Sequence, residues 1–209
     1  MNYFYKYIAD TSISPDEYNR LLLEMPAERA AKISRMTHAT DRNNAIMAII
    51  ALKELLSCHM GITHLPAIAY NAYGKPYFPE QPDIYFNYSH SGCEVLCAIS
   101  PFQIGTDIQC YRPISSAVLE RKYSREERNY ILASTNPEQT AVLLWAYKES
   151  YLKAIGCGLS RPLDTAYPNI SALPSSGPKI GQTMEIVADN GRFYGKLLSD
   201  SAMGIYVIK

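Results

Sequence analysis

Apolar and polar positions along the chain follow two different periods, and the switches between them mark out the elements. The opening "MNYFYKYIAD" reads as a first strand. In "SPDEYNRLLLEM", Ser14 stands as an N-cap, Pro15 suits the first helical position, and Glu17 three residues after the cap completes a capping-box pattern, so a short helix follows. Pro26 opens another, "PAERAAKISRM", in which Arg29 and Lys32 are three apart and form a basic patch on one face. From Asp41, "DRNNAIMAIIALKELLSC" has a polar first turn and then apolar residues nearly all round. That is the pattern of a helix buried on most sides, and Gly61 ends it.

Shorter runs follow, "AIAYNAYGKPYF", "DIYFNYSHSG", "EVLCAIS" and "QIGTDIQ", punctuated by Gly and Pro, and these predict sheet. "RKYSREERNYIL" reads as helical. Asn136 caps and Pro137 starts a helix that runs through Trp145 to about Ile155, with Gly156 or Gly158 as its stop. In the tail, "TMEIVADNGRFYGKLL" and "MGIYVIK" predict three antiparallel strands, with Asn190-Gly191 as a hairpin signal. Each half thus sets one long helix beside several short strands, an α+β class with its seam near Pro101 and no residue-level repeat.

Composition narrows what such a fold can serve. At 209 residues the chain is one globular unit or two closely packed halves. Twenty basic and twenty acidic residues cancel without a run of like charge, which argues against a nucleic acid or an anionic membrane as partner. Five irregularly spaced cysteines argue against a disulfide framework and fit a reducing compartment, so the cytoplasm is expected. Cys93 and Cys97, without further ligands at metal spacing, read as core. The N-terminus does not read as a signal peptide. The longest apolar run, "AIMAIIAL", is far short of the roughly 20 residues of a spanning helix.

The chemistry is concentrated in a few places. Extended backbone in "QIGTDIQ" puts Ile104, Thr106 and Ile108 on one face and Gly105, Asp107 and Gln109 on the other. Taken alone, this is an edge strand with a solvated face, or a shelf on which Gly105 lets a ligand approach the backbone. Glu149 and Lys153 are four apart with the acid first, the order of an ordinary surface ion pair. The alternative joins Glu149 to Asp107 around a hard divalent cation, with Lys153 neutralising a bound phosphate. In "NYSHSG", Ser89 and His90 stand where a strand enters a glycine turn, and hydroxyl, imidazole and backbone amides there can grip phosphate oxygens. Lys75, between Gly74 and Pro76, is a loop lysine by composition. A metal nuclease would set the Glu and Lys on a strand, and the balanced charge gives it no footprint for DNA.

Taken in order and spacing, "GKPYFP", "FNYSHSG", "IGTDIQ" and "WAYKESYLKAIGCGLS" resemble the 4'-phosphopantetheinyl transferases of the surfactin-synthetase-activating type, over about Gly74 to Pro162. The last stretch matches that family's W-x-x-K-E-x-x-x-K-x-x-G-x-G signature. The resemblance implies two similar α+β halves, 1–102 and 103–209, packed as an intramolecular pseudo-dimer, each with a long helix against a small, mainly antiparallel sheet. It implies Mg2+-dependent transfer of the phosphopantetheine arm of coenzyme A to a serine of an apo acyl or peptidyl carrier protein, with release of adenosine 3',5'-bisphosphate. Asp107, Gln109 and Glu149 then hold the metal, which sits on the pyrophosphate of coenzyme A. Glu149 also deprotonates the serine or positions the base, and Lys153 balances charge on the pyrophosphate and leaving group. Ser89, His90 and Lys75 match coenzyme A phosphate contacts, and Arg29 and Lys32 fall on the helix that meets the 3'-phosphate. Such a layout can work as a monomer.

Two departures from the family pattern bear on function. Many relatives have an acid where this chain has Gln109, so weaker metal binding is expected, and a coenzyme A or carrier-binding protein with impaired transfer is the alternative reading. Where relatives often place an arginine shortly after the aspartate that starts the buried helix, "DRNNA" offers Asn44 with Arg42 nearby. Residues 158–179, rich in Ser, Pro and Gly, border the carrier-docking surface by resemblance and are a loop by composition.

Overall fold

Capping chemistry starts and stops the helices largely where the sequence predicts. The computed structural model describes residues 3–157, 168–188 and 190–209. Helix α1 (Pro15–Leu23) begins with the Ser14 hydroxyl accepting the Glu17 N–H at 3.2 Å, while the Glu17 carboxylate turns to Arg20, 3.9 Å away, instead of returning to the cap. Helix α2 (Ala27–Ser34) follows Pro26, and α3 (Ala39–Met60) ends at Gly61 in the left-handed region. The run read as a single helix after residue 120 is two, α4 (Ser116–Lys122) and α5 (Arg125–Ala133). The reason is a reciprocal capping box: Ser124 Oγ accepts the Glu127 N–H at 3.1 Å and the Glu127 carboxylate accepts the Ser124 N–H at 2.6 Å, which restarts the helix. Helix α6 (Pro137–Ile155) is capped by Asn136 and stopped by Gly156 at φ 73°. The other predicted stop, Gly158, lies outside the described residues.

The strands form antiparallel sheets, and the fold is mixed helix and sheet with six α-helices among the described residues. In one sheet the order is β1 (Phe4–Ile8), β5 (Glu94–Ser100), β4 (Tyr85–Ser91). A second is the small hairpin of β2 (Ala69–Tyr70) and β3 (Pro76–Tyr77). The third runs β6 (Ile104–Cys110), β9 (Ser201–Ile208), β8 (Gly191–Leu197), β7 (Thr183–Ala188). Ala188 pairs with Gly191, so that glycine is the first ladder residue of β8 and not part of the hairpin turn expected at Asn190-Gly191.

Strand β5 is apolar at nearly every position because both its faces are covered. Cys97 and Ile99 pack with Leu52 and Leu56 of α3, while Leu96 and Ala98 pack with Ile104 and Ile108 of β6 and Ile205 and Val207 of β9. On the other side of β9, Ala202 and Tyr206 meet Leu143 and Tyr147 of α6. Among the described residues no helix is long and apolar enough to cross a membrane.

Strands β4 and β6 meet through side chains. Every second residue of β4 reaches across: Asn87 Oδ1 accepts the Thr106 N–H at 2.9 Å, Ser89 Oγ donates to Asp107 Oδ1 at 3.0 Å, and Ser91 Oγ accepts the Cys110 N–H at 3.0 Å. The outward N–H groups of Thr106 and Cys110 are thereby satisfied without a ladder. Strand β6 is the edge strand of its sheet, as read, but the solvated face is overturned: Ile104 to Ile108 are buried throughout. The shelf reading needs correction as well. A Cβ at Gly105 would run into the carbonyl oxygen of Ser150 and the amide nitrogen of Ala154. The close approach that this glycine allows is made by α6, not by a ligand.

Candidate active site

Helix α6 is buried on most sides, and Trp145, Glu149 and Lys153, one turn apart, form its partly exposed stripe. Opposite stand Asp107 and Gln109 of β6, and Ser89 and His90 of β4. These seven residues, with Tyr88 and Arg112, line a cavity of 420 Å³. A neighbouring cavity of 310 Å³ shares Tyr88, Glu149 and Lys153 with it and extends to Tyr70, Tyr73, Lys75 and Gly156, so the two form one continuous cleft.

At the bottom of the cleft the Lys153 ammonium donates to Asp107 Oδ1 at 2.6 Å and to Ser89 Oγ at 3.0 Å, and that same hydroxyl donates to Asp107. The ordinary i,i+4 surface pair is therefore not what forms: Lys153 serves a carboxylate on another element rather than Glu149. Asp107 is 1% exposed, and its second oxygen, Oδ2, is buried with no hydrogen-bond partner. Burial first and the nearby Asp107 charge second raise the Glu149 pKa above its ordinary value, against the pull of Lys153 and Lys122.

These features fit a hard divalent cation. A buried carboxylate oxygen without a partner is costly, and a cation completes it while relieving the repulsion between Asp107 and Glu149. Among the described residues no group of three or more His, Cys, Asp or Glu converges. The donors lining the cleft there are the Asp107 and Glu149 carboxylates and the Gln109 amide, a set that would suit Mg2+, an ion that takes one or two carboxylates and fills its octahedron with water and phosphate oxygens.

The remaining predicted residues are spread along the cleft. His90 stands exposed at the rim of the larger cavity. Arg29 donates to the hydroxyls of Tyr70 and Tyr88, and the Lys32 ammonium lies 5.0 Å from the Tyr70 ring centre, so the basic face of α2 reaches the cleft by way of two tyrosines. Lys75 is differently employed from a loop lysine. Its ammonium donates to the Ile104 carbonyl at 3.2 Å and the Ala154 carbonyl at 2.5 Å. Burial pushes its pKa down to about 8, although the carbonyl end of α6 favours the charged form. Asn71 adds a bond to the Gly156 carbonyl at 3.0 Å, so the β2–β3 hairpin grips the end of α6.

Sequence reasoning missed two features. Arg112 lines the same cavity as Gln109; the signal was a cation three residues beyond it, where the strand leaves the sheet. Lys148 stands in the helix signature without an assigned role. It is fully buried, 2.8 Å from Glu127 and 2.9 Å from the Lys122 carbonyl, and ties α4 and α5 to α6. Glu127 three residues after Ser124 was the available sign of the helix start that places its carboxylate there.

Comparison with known proteins adds an independent finding. The family model described as the 4'-phosphopantetheinyl transferase superfamily matches residues 103–197. The chain is 34% identical over 159 residues to the 4'-phosphopantetheinyl transferase Sfp of Bacillus subtilis (strain 168), covering 75% of this chain and 71% of that protein. It is 28% identical over 151 residues to the 4'-phosphopantetheinyl transferase gsp of Aneurinibacillus migulanus, covering 71% and 63%. Over 195 residues it is 25% identical to the L-aminoadipate-semialdehyde dehydrogenase-phosphopantetheinyl transferase of Rattus norvegicus, covering 84% and 62%.

Proposed function

The chain belongs to the 4'-phosphopantetheinyl transferase superfamily, and we propose that it transfers the phosphopantetheine arm of coenzyme A to a serine of an apo acyl or peptidyl carrier protein, releasing adenosine 3',5'-bisphosphate. The observation that carries this reading is the Ser89, Asp107 and Lys153 network beside Glu149, with the second Asp107 oxygen buried and without a hydrogen-bond partner.

Asp107 and Glu149 would hold Mg2+, with Gln109 as the third ligand, directly or through water. When bound, the ion supplies charge neutralisation at the pyrophosphate. Glu149 takes the serine proton or orients the group that does. The serine oxygen bonds to the phosphorus that carries the pantetheine arm as the bond from that phosphorus to the bridging oxygen breaks. The electron pair leaves with the adenosine bisphosphate. Lys153 balances the charge that gathers there. Ser89, His90, Arg29 and Lys32 meet phosphate oxygens. The corresponding contact by Lys75 would require its ammonium to leave the carbonyls of Ile104 and Ala154.

Residues 1–102 and 103–209 are read as the halves of an intramolecular pseudo-dimer, each with a long helix, α3 or α6, against an antiparallel sheet. Both halves contribute to the cleft, so a monomer suffices. Coenzyme A as co-substrate fits a cytoplasmic enzyme.

The test is incubation with coenzyme A, Mg2+ and apo carriers from fatty acid, polyketide and peptide synthesis. One phosphopantetheine should be added to the carrier serine by mass spectrometry. No mass increase on any carrier overturns the proposal. Gln109 favours one other reading, a coenzyme A-binding protein with impaired transfer. Tight binding without turnover, with turnover restored by Gln109→Glu, would support that one.

A further inference from the structure

We propose that Asn44 is a positioning residue that fixes the neutral, Nε2–H tautomer of His90, so that His90 offers the cleft an uncharged N–H donor; the use of that donor rests on the reading of His90 as a phosphate contact. Asn44 lies in α3 and is 1% exposed. Its Nδ2 is 2.9 Å from the Gly92 carbonyl and 3.5 Å from His90 Nδ1, and its Oδ1 accepts the Thr11 hydroxyl at 2.6 Å. A backbone carbonyl can only accept, so the amide group facing Gly92 must be the NH2. The orientation of Asn44 therefore follows from chemistry rather than from its atoms' outlines.

The second hydrogen of that NH2 points towards His90 Nδ1. Nδ1 must then carry the lone pair, and the ring hydrogen sits on Nε2. Protonating the ring would set an Nδ1–H against an amide N–H, two donors face to face, so Asn44 also disfavours the imidazolium. The surroundings act the same way on balance: partial desolvation at the cleft rim lowers the His90 pKa, with Lys153 on α6 assisting and Asp41 on α3 and Asp107 on β6 opposing. Positive charge in the cleft comes from Lys153 and Arg112 instead. His90 supplies direction, and its donor does not change with pH.

Long-range 1H–15N correlation spectra of the 15N-labelled protein test this directly, because the two neutral tautomers and the imidazolium differ in their nitrogen shifts. The chain has four histidines, and His90→Gln identifies the signal. At about pH 7.5, where an ordinary imidazole is mostly neutral, the wild-type protein should show His90 as Nε2–H. An Nδ1–H tautomer or an imidazolium there overturns the proposal. In Asn44→Asp the carboxylate accepts from Nδ1, so His90 should titrate at least about one pH unit higher; an unchanged titration also overturns it.

Calorimetry with coenzyme A separates this claim from the phosphate reading. The ratio of the His90→Gln dissociation constant to the wild-type one should exceed one and stay equal between about pH 6 and pH 8, whereas an imidazolium contact would enlarge it by about tenfold at the lower pH. A ratio of one at both pH values overturns the phosphate reading and leaves the tautomer assignment to the spectra.

Discussion

The Lys153 ammonium on α6 lies 2.6 Å from Oδ1 of Asp107 on β6, 46 positions earlier in the chain. The contact is one-sided: Oδ1 receives Lys153 and Ser89, and Oδ2 receives nothing. A carboxylate held in this way keeps one oxygen in a fixed direction for a cation while its other oxygen is already neutralised. Sequence spacing pairs Lys153 with Glu149. The fold instead spends Lys153 on Asp107 and leaves Glu149 free to face the cleft.

Lys153→Met should therefore act twice. It removes the charge that balances the leaving group, and the rate of carrier modification should fall by about 100-fold or more. It also leaves a buried carboxylate without its cation, which should lower unfolding free energy in denaturant titration by up to about 3 kcal/mol. Adding Asp107→Asn should recover stability and not activity. Recovery of both would remove Asp107 from the chemistry.

Replacing Gln109 by Glu adds a charged oxygen on the strand that carries Asp107. The Mg2+ concentration giving half-maximal transfer should fall, because ligand charge governs affinity for hard cations. Titrating the transfer rate with Mg2+ in both proteins reads this, and an unchanged midpoint would place residue 109 outside the coordination shell.

The buried pair of Lys148 and Glu127 predicts an asymmetric mutant cycle. Both side chains are at most 2% exposed. Lys148→Met alone leaves Glu127 ionised and unpaired, at a cost of about 3–5 kcal/mol, whereas Lys148→Met with Glu127→Leu should lie much closer to wild type. Chemical denaturation of the four proteins measures it. Equal losses in the single and double variants would show that the two groups do not depend on one another.

Lys75 gives a stability signature at alkaline pH. Burial sets its folded pKa at about 8 against an ordinary 10.5. Between those values the unfolded chain holds a proton that the folded chain has lost, so stability rises with pH through that window. Relative to Lys75→Met, the wild-type protein should gain roughly 3 kcal/mol across it, at about 1.36 kcal/mol per pH unit. Denaturation midpoints for both proteins at each pH check this. Parallel curves would contradict the buried position of the ammonium.

What could be read from the sequence was mostly local. Caps at Ser14 and Asn136 and stops at Gly61 and Gly156 follow from bonds within a few residues, and each helix begins or ends there. The tail strands follow from alternation and a turn. The depth of β6 did not follow, because the outward N–H groups of Thr106 and Cys110 are satisfied by Asn87 and Ser91 of β4, and nothing in "QIGTDIQ" announces them. Ser124 and Glu127 did announce a helix start, inside a run read as continuous. At the cleft, Asp107, Glu149 and Lys153 were picked out through the ordered motifs of a known family rather than by spacing, which favoured a surface pair. The roles of Lys148 and Lys75 were hidden because their partners lie at Glu127, Ile104 and Ala154, in elements whose approach only the packed fold defines.

The central claim is that Asp107 and Glu149 share one divalent cation. Its most direct test is a crystal of the protein with coenzyme A and Mn2+ in place of Mg2+, examined for anomalous scattering from the metal. The account predicts one strong peak at bonding distance from Asp107 Oδ2 and a Glu149 oxygen, in contact with the pyrophosphate. A metal bound elsewhere along the coenzyme, with the two carboxylates turned apart, would contradict it.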